Sequence, residues 1–430
     1  MIRQPRLRSL GLKILVPAAL CLTVHAVRAQ NANCGPLSRT TAAPREDPAN
    51  ICRLLSALSA DSMEGRATGT RGAHRASRFI AEQFRAAGLE PAGDSGYFQR
   101  VPLVRTERAS GRSSFALAPS FAARDTFPEA RRGSDVNVIG RLTGSDPRLK
   151  DSVVLVDAHF DHLGLARSPV DIDSMLAWQA LAAPIRAERD AWFKKSGLAA
   201  RAGRGGNQLT DEERKTMASF STRIAGLRVN MDSIRRVHPT PRRDSVFNGA
   251  DDDASGVIAV IEIARRLASG PRPKRTIIFM ATTGEEVGLL GTRWYMEHPV
   301  VPNDALVANL EIEMIGRPDS LSGGKGRAWL TGFERSTMGE ILAANGVPIG
   351  PDKRPEQSFF ARSDNIAFAQ MGIPAQTLSS FNMHEDYHQV TDDVRAVDFE
   401  HMAAVVDAAA KAVDLLANGQ APTWKPGGKP

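Results

Sequence analysis

The chain has 430 residues, of which 42% are hydrophobic and 24% charged, as expected for a soluble globular protein with one large domain or two smaller ones. Its formal charge of +7 comes from 55 Lys and Arg against 48 Asp and Glu. Five of those basic residues and none of the acids lie in residues 1–29, so the remainder carries 50 basic against 48 acidic residues. That balance gives no electrostatic reason to expect a nucleic-acid partner.

Residues 1–29 have the pattern of a signal peptide. A basic start is followed by an apolar run over residues 14–24, and small residues lead to Ala29, so cleavage is expected before Gln30. The run is shorter than the roughly 20 apolar residues that span a bilayer. We therefore expect export to the periplasm or the extracellular space, without stable membrane association after removal of the signal; a retained membrane anchor is the alternative.

Three cysteines are present, and one of them, Cys21, leaves with the predicted signal peptide. Cys34 and Cys52 then form an even pair in an exported chain, which favours a disulfide over two free thiols. The bond would tie a polar, proline-containing N-terminal arm, residues 30–48, to the first helix. No cysteine lies near a motif, so thiol chemistry is not expected.

The rest of the chain, residues 49–420, is predicted to form one domain with alternating helices and strands. Helical periodicity covers residues 50–89, and residues 97–150 are strand-like and rich in loops. Short, dense apolar runs then alternate with helices, which is typical of strands buried on both faces of a sheet. We expect an α/β fold, a three-layer sandwich with a central mixed, largely parallel sheet flanked by helices. The apolar runs are residues 153–158, 276–281, 306–315 and 373–378, and the helices between them are 255–268, 287–297 and 336–345.

One segment, residues 166–246, does not follow this alternation. It is charged and shows helical spacing of apolar residues over 173–195, where Pro184 is a potential kink, and over 210–237. Glycines at 203–206 form a hinge between the two halves. The pattern predicts a helical hairpin inserted between two elements of the sheet, either as a lid over a site or as a peripheral element for packing or oligomerisation.

Polar motifs follow the apolar runs. His159 comes directly after the first run, and Asp161 could accept its other ring N–H. Glu285 and Glu286 follow the second run, where one carboxylate can bind a metal while its neighbour faces a reacting water. Each motif alone also has a purely structural explanation, as a satisfied His–Asp pair or an acidic helix start.

Two further acidic motifs complete the pattern. Residues 251–253 are three consecutive aspartates, a repulsive arrangement unless a cation or solvent offsets it. Glu311 and Glu313 share one face of an apolar run, so on physical grounds either could be a ligand.

A last motif at residues 384–388 supplies two histidines and Tyr387. In a sheet of this type the strand ends converge on one edge, and the combined nitrogen and oxygen donors suit zinc. A bridging carboxylate permits two ions about 3.5–4 Å apart.

These motifs resemble a known family. The segments AHFDHLG (158–164), GADDDASG (249–256), ATTGEEVGLLG (281–291), EMIG (313–316) and DYH (386–388) are similar, in order, to those of metallopeptidase family 28, the co-catalytic di-zinc peptidases. That family includes bacterial leucyl aminopeptidases, glutamate carboxypeptidase II and glutaminyl cyclase. Residues 65–103 also look like the N-terminal part of bacterial members, so the resemblance covers residues 50–165 and 247–415.

The resemblance implies roles for individual residues. Asp252 would bridge two zinc ions per chain, with a cis peptide following it. Glu285 would be the general base, and Tyr387 would stabilise the oxyanion. The metal ligands completing the two sites would be His159 and Glu313 for one ion, and Glu286 and His388 for the other.

Three departures from the family pattern stand out. Glu313 replaces a common Asp, Asp253 replaces a common Asn, and residues 363–365 read SDN where many relatives read SDH. The eighty-residue insertion before Asp252 is the largest departure.

The expected function is that of a secreted zinc-dependent exopeptidase acting on peptides. An aminopeptidase is the first expectation, and a carboxypeptidase or dipeptidase is the alternative. Glutaminyl cyclase and a non-catalytic binding module are less favoured, the first because that branch uses one zinc and the second because every position holds a competent residue. The sequence does not indicate the oligomeric state.

Overall fold

A computed structural model describes residue 34 and residues 46–107, 113–197 and 210–430. The predicted signal peptide, most of the arm at 30–48 and the glycine hinge at 203–206 lie outside the described residues. The arm is nevertheless fixed at one point, because Cys34 and Cys52 form a disulfide with their Cα atoms 5.7 Å apart. That bond joins the arm to the first helix, as the sequence predicts. No helix in the described ranges is long and apolar enough to cross a membrane.

Ten of the strands in the described residues form one mixed sheet, in the order β11-β10-β12-β9-β5-β8-β4-β2-β3, with β1 also paired to β4. Its centre is parallel, since β12, β9, β5 and β8 all run the same way. The predicted mixed, largely parallel sheet is therefore confirmed. The strands are β1 (Glu90–Pro91), β2 (Phe98–Glu107), β3 (Ser113–Leu117), β4 (Arg132–Leu142), β5 (Val153–His159), β6 (Gly164–Asp171), β7 (Arg243–Phe247), β8 (Thr276–Thr282), β9 (Leu306–Glu313), β10 (Ala328–Leu330), β11 (Ile349–Pro351) and β12 (Ala375–Ser379).

Helices cover both faces of this sheet, giving the predicted three layers. Strand β5 shows why its sequence is apolar throughout: Val154 and Val156 pack into the core on one face, and Val153 and Leu155 into the core on the other. Side chains alternate between faces along a strand, so a strand with helices on both sides needs no polar positions. The helices are α1 (Pro48–Leu58), α2 (Arg71–Ala86), α3 (Phe121–Asp125), α4 (Ile172–Ser196), α5 (Asp211–Ala225), α6 (Met231–Val237), α7 (Gly256–Ser269), α8 (Leu290–Glu297), α9 (Met338–Ala344), α10 (Asn365–Gln370) and α11 (Phe399–Asn418).

The inserted segment differs in part from its prediction. It is entered and left through a two-stranded antiparallel ladder, β6 with β7, which the sequence did not reveal. Helix α4 continues through Pro184 as one element. The second predicted helix, 210–237, is instead two helices, α5 and α6, because the chain leaves helical geometry after Gly226 and Asn230 caps the start of α6.

Candidate metal centre

The parallel strands bring the predicted side chains to one edge of the sheet. Strand β5 ends on His159 and β9 ends on Glu313. Glu285 and Glu286 follow β8, while His388 lies on the loop after β12. Because parallel strands share a carboxyl edge, four segments that are distant in sequence meet there.

Asp252 lies between two groups of donor atoms. Its Oδ1 is 3.3 Å from His159 Nε2, which is itself 4.0 Å from Glu313 Oε1. Its Oδ2 is 3.0 Å from His388 Nε2, which is 3.2 Å from Glu286 Oε1. We call the group around Oδ1 the first site and the group around Oδ2 the second site. The two oxygens of Asp252 thus face different sites, which is the arrangement a bridging carboxylate requires.

The donor atoms are buried and lack hydrogen-bond partners, which is typical of side chains that hold a cation. His159 Nε2, Asp252 Oδ2, Glu286 Oε1 and His388 Nε2 make no hydrogen bond to any described residue, although several lie within 3.3 Å of one another. Buried polar atoms in proteins are nearly always paired. Burial alone would lower the pKa of His388, but Asp252 and Glu286 raise it to about 10. A positive charge is therefore favoured at this point, and the residues fit a zinc centre.

The three aspartates have separate environments. Asp251 accepts hydrogen bonds from the Gly316 amide and Ser255 Oγ, and its other oxygen lies 3.0 Å from His384 Nε2. Asp253 accepts from the amides of Gly256 and Met314. Only the middle carboxylate faces both sites, and its bond to Asp253 is cis, as the family resemblance implied. His384 is therefore occupied by Asp251 and is not among the donors.

The structure separates Glu311 from Glu313. Glu311 is fully buried and accepts hydrogen bonds from Ser363 Oγ, the amides of Asp364 and Asn365, and Thr377 Oγ1. Its carboxylate is thereby held away from the sites, whereas Glu313 Oε1 faces His159. Alternation along a strand could not decide between them, because the partners of Glu311 come from two segments more than fifty residues later.

Asp161 acts differently from its prediction. The His159 Nδ1–H donates to the backbone carbonyl of Asp161, at 3.1 Å, and the Asp161 carboxylate is farther away, at 3.8 Å. That carboxylate instead accepts from Thr68 Oγ1 and from the Glu285 amide, at 2.9 and 3.0 Å. Asp161 thus still holds the His159 ring, through its carbonyl, and its side chain fixes the backbone that carries Glu285.

Glu285 and Tyr387 border the cleft beside the first site. Glu285 Oε2 lies 4.0 Å from His159 Nε2, and burial raises its pKa well above the usual range for a carboxyl. The Tyr387 ring stacks on His388 with centroids 3.9 Å apart. Burial, and then the nearby carboxylates, raise the pKa of Tyr387, so its phenol remains a hydrogen-bond donor at neutral pH.

The cleft continues from the carboxylates into an aromatic pocket. Trp329 and Phe359 stack at 5.1 Å, and Phe381 packs edge-on against Phe359. Met314 completes the apolar lining, and Arg362 lies at the pocket with its guanidinium 5.0 Å from the Phe359 ring. The sequence did not identify these residues, because they come from four separate segments that only the fold brings together.

Arg66 is a further residue at the centre that sequence reasoning missed. Its side chain is completely buried and donates to the carbonyls of Phe160, Leu58, Asn248 and Gly249. It therefore joins α1 to the two loops that carry His159 and Asp252. It lies in the segment, residues 65–103, that resembles bacterial relatives, and nothing in an arginine between small residues indicates burial. Gly65 allows the close approach, since a Cβ there would lie 2.4 Å from the Gly164 carbonyl oxygen.

His162 was also missed, although it stands in the same motif as His159. Its ring is buried, and Nδ1 lies 2.9 Å from Glu286 Oε1 and 3.8 Å from Asp252 Oδ2. The sequence HFDH offered a signal, since it holds a second imidazole three residues after the first.

Solved structures of other proteins share this fold. The fold is similar to an aminopeptidase from Aneurinibacillus sp. strain AM-1, with a TM-score of 0.51, 14% identity, and coverage of 89% of this chain and 97% of that one. It is similar also to a zinc aminopeptidase from Bacillus subtilis, with a TM-score of 0.51, 13% identity, and coverage of 86% and 95%. At these identities the likeness concerns the fold.

The sequence relatives are much longer than this chain. Vacuolar membrane proteases of Lachancea thermotolerans and Coccidioides posadasii are 24% and 28% identical over 174 and 181 residues. Each match covers 39% of this chain but only 17% and 16% of the relative, so the chain spans about one sixth of their length. Residues 231–413 match peptidase family M28. Over those residues the chain is similar to peptidase family M28.

Proposed function

We propose that the chain is an exported, zinc-dependent exopeptidase, and that it acts as an aminopeptidase. The observation that carries the proposal is the set of buried, unsatisfied nitrogen and oxygen donors grouped around the two oxygens of Asp252. In this proposal His159, Asp252 and Glu313 hold one ion, and Asp252, Glu286 and His388 hold the other. When bound, zinc would polarise the substrate carbonyl and lower the pKa of the attacking water.

The chain's own residues supply the proton transfer and the hydrogen bonds. Glu285 is close to the first site without being needed as a ligand, so its carboxylate takes a proton from the attacking water and passes it to the leaving amine. Tyr387 donates a hydrogen bond to the oxygen that gains negative charge. The side chain of Asp161, by holding the Glu285 amide, orients the base.

Exopeptidase action by removal of the N-terminal residue fits the cleft. The aromatic pocket of Trp329, Phe359 and Phe381 is suited to one hydrophobic side chain adjoining the metal sites. The carboxylates of Glu285 and Glu313 at its mouth can accept hydrogen bonds from a free ammonium group. We therefore expect preference for substrates with a large apolar first residue.

A specific observation favours the second candidate, a carboxypeptidase or dipeptidase. Arg362 borders the same pocket, is exposed, and has no carboxylate partner among the described residues. A guanidinium in this position could bind the C-terminal carboxylate of a peptide.

One experiment distinguishes the two candidates. A peptide library is digested by the zinc-loaded protein, with and without chelator, and the products are read by mass spectrometry. We expect trimming of N-terminal residues, abolished by the chelator and largely retained by Arg362→Gln. Trimming from the C-terminus that Arg362→Gln abolishes would replace the first candidate with the second. Cleavage that persists with the chelator and in the metal-free protein would contradict zinc dependence.

Export is proposed on two grounds. The N-terminal sequence has the signal-peptide pattern, and the described structure contains a disulfide between Cys34 and Cys52. Disulfides persist in oxidising compartments and are uncommon in the cytosol.

The inserted segment is proposed to be a lid. Helix α4 contacts two segments that lead to residues of the cleft: Gln179 Nε2 donates to the carbonyl of Glu385, and Lys194 lies 3.7 Å from Glu356. Glu385 precedes Tyr387 and His388, and Glu356 is close in sequence to Phe359 and Arg362. An element in contact with both segments can limit how much of a long peptide enters.

Replacing residues 172–242 by a short Gly-Ser linker, with the β6–β7 ladder kept, tests the lid. We expect the rate on long peptides to rise relative to that on dipeptides and tripeptides, measured as kcat/KM. The double substitution Gln179→Ala and Arg186→Ala, which frees α4 from Glu385 without deleting it, should shift the ratio in the same direction. An unchanged length preference in both variants would identify the insertion as a packing or oligomerisation element.

A further inference from the structure

His162 occupies an unusual position for a buried histidine. It lies on the loop directly after β5, and its side chain is buried. Both ring nitrogens are without a hydrogen-bond partner in the part of the chain that the structure describes. Leaving buried polar groups unpaired costs roughly 1–3 kcal/mol each. A second role for the ring would account for that cost.

The distances around its Nδ1 indicate that role. His162 Nδ1 is 2.9 Å from Glu286 Oε1 and 3.8 Å from Asp252 Oδ2. On the other side, His388 Nε2 is 3.2 Å from the same Glu286 oxygen and 3.0 Å from the same Asp252 oxygen. In a tetrahedral zinc site with bonds of about 2.0–2.1 Å, neighbouring ligand atoms lie about 3.3 Å apart. The four separations are distributed around that value.

The directions of these atoms also matter. Although His162 Nδ1, Asp252 Oδ2, Glu286 Oε1 and His388 Nε2 are close, none is hydrogen-bonded to another. These atoms therefore lie close together without forming ordinary imidazole–carboxylate hydrogen bonds. His162, Asp252 and Glu286 form one group of potential metal-holding atoms, separate from the group of His159, Asp252 and Glu313.

The backbone makes room for this ring. Gly249 has a φ of +53°, and a Cβ on it would lie 2.5 Å from His162 Cγ. Any other residue at 249 would displace the imidazole from the second site. The glycine that begins the acidic motif thus permits His162 to reach Glu286.

We propose that His162 is a fourth protein ligand of the second site, an inference that builds on the proposed zinc-dependent function. The second site is then closed by His162, Asp252, Glu286 and His388. The first site has three protein ligands and keeps a position open beside Glu285. Closed four-ligand sites are typical of structural zinc, and open three-ligand sites of catalytic zinc. The second site would then hold zinc more tightly, and the first site would be left with room for water and substrate beside Glu285.

Two substitutions of nearly equal volume test the proposal, His162→Cys and His162→Ser. A cysteine thiolate binds zinc and a serine hydroxyl does not. The purified proteins are dialysed against buffers of graded free zinc, and bound zinc per chain is measured by mass spectrometry. His298→Ser is the control, because His298 stacks on Trp294 away from the cleft.

We expect the wild type to show a tight and a weaker zinc. His162→Ser should weaken the tight one by more than about 100-fold, the upper end of what is lost when a residue that only supports a metal ligand is removed. His162→Cys should restore most of that affinity, and His298→Ser should change neither. Unchanged zinc affinities in His162→Ser, or equal losses in the Cys and Ser variants, would overturn the assignment of His162. A wild type that binds no zinc would overturn the proposed function itself.

If His162→Ser unfolds, the absorption of Co²⁺ in the folded His162→Cys protein decides. A thiolate-to-cobalt charge-transfer band supports ligation by residue 162, and the absence of that band contradicts it.

Discussion

Glu285→Gln is expected to lower kcat by about 10²–10⁴-fold while both zinc ions stay bound. Glutamine has nearly the same shape as glutamate but cannot take a proton from water at neutral pH. The Glu285 carboxylate lies 4.0 Å from His159 Nε2, and its backbone amide is fixed by Asp161. The substitution therefore removes the base and leaves the donors of both sites in place. Stopped-flow hydrolysis of a chromogenic aminoacyl substrate, with zinc content measured on the same sample, checks this.

The neighbouring residue provides a matched control, because Glu286→Gln is the same chemical change one position later. Glu286 faces the second site, so its substitution should weaken zinc binding as well as activity. If zinc is retained in Glu285→Gln and lost in Glu286→Gln, the first residue acts as the base and the second as a metal ligand. Near-normal turnover in Glu285→Gln would exclude it as the base, and loss of zinc in that variant would make it a ligand.

Arg66→Met is expected to lower the free energy of unfolding by about 4 kcal/mol or more. Four backbone carbonyls lose a charged donor in a fully buried place, and hydrogen bonds to charged groups contribute about 1.5–3 kcal/mol each. Burial lowers the pKa of Arg66 to about 10, so it remains a cation at neutral pH among the aspartates of the centre. Urea denaturation at pH 7, with and without zinc, measures the loss.

Two further variants interpret that result. Arg66→Lys keeps the charge, but one ammonium group cannot reach carbonyls that a forked guanidinium joins, so most of the stability should still be lost. Arg78→Met removes an exposed arginine from α2 and should change stability by less than about 0.5 kcal/mol. A loss below about 1 kcal/mol in Arg66→Met would mean that the loops bearing His159 and Asp252 are held by other contacts.

The layers of the fold could be predicted because each strand of the parallel centre is a dense apolar run followed by a polar motif. The run at Val153 and the run at Thr276 each became a buried strand, and their ends lie side by side. Periodicity could not reveal β6 and β7, since apolar and polar residues alternate only weakly along them and most of their residues are partly or fully exposed. Periodicity also could not show that the helical pattern after Thr210 is divided in two. The capping box at Thr210 and the apolar spacing continue to favour one helix, although the first helix ends at Gly226.

The donor residues could be proposed because each motif carries an unusual density of carboxylates or imidazoles after a strand. What sequence could not supply was the direction of each side chain. Glu311 and Glu313 are equivalent by alternation, and the hydrogen bonds that Glu311 accepts from residues 363–365 and from Thr377 distinguish them. Arg66 and the aromatic pocket depend on contacts between segments that are far apart in the chain.

The pairing of β6 with β7 has a consequence for how this chain can vary. Gly164 faces Phe247 in the ladder, so the two ends of the inserted segment are held together whatever lies between them. Loop-closure entropy rises only slowly with length, by about 0.6 kcal/mol per doubling. The ladder is thus a suitable insertion point. A fluorescent reporter or a binding domain could replace the helices between β6 and β7 while the spacing between His159 and Asp252 stays the same.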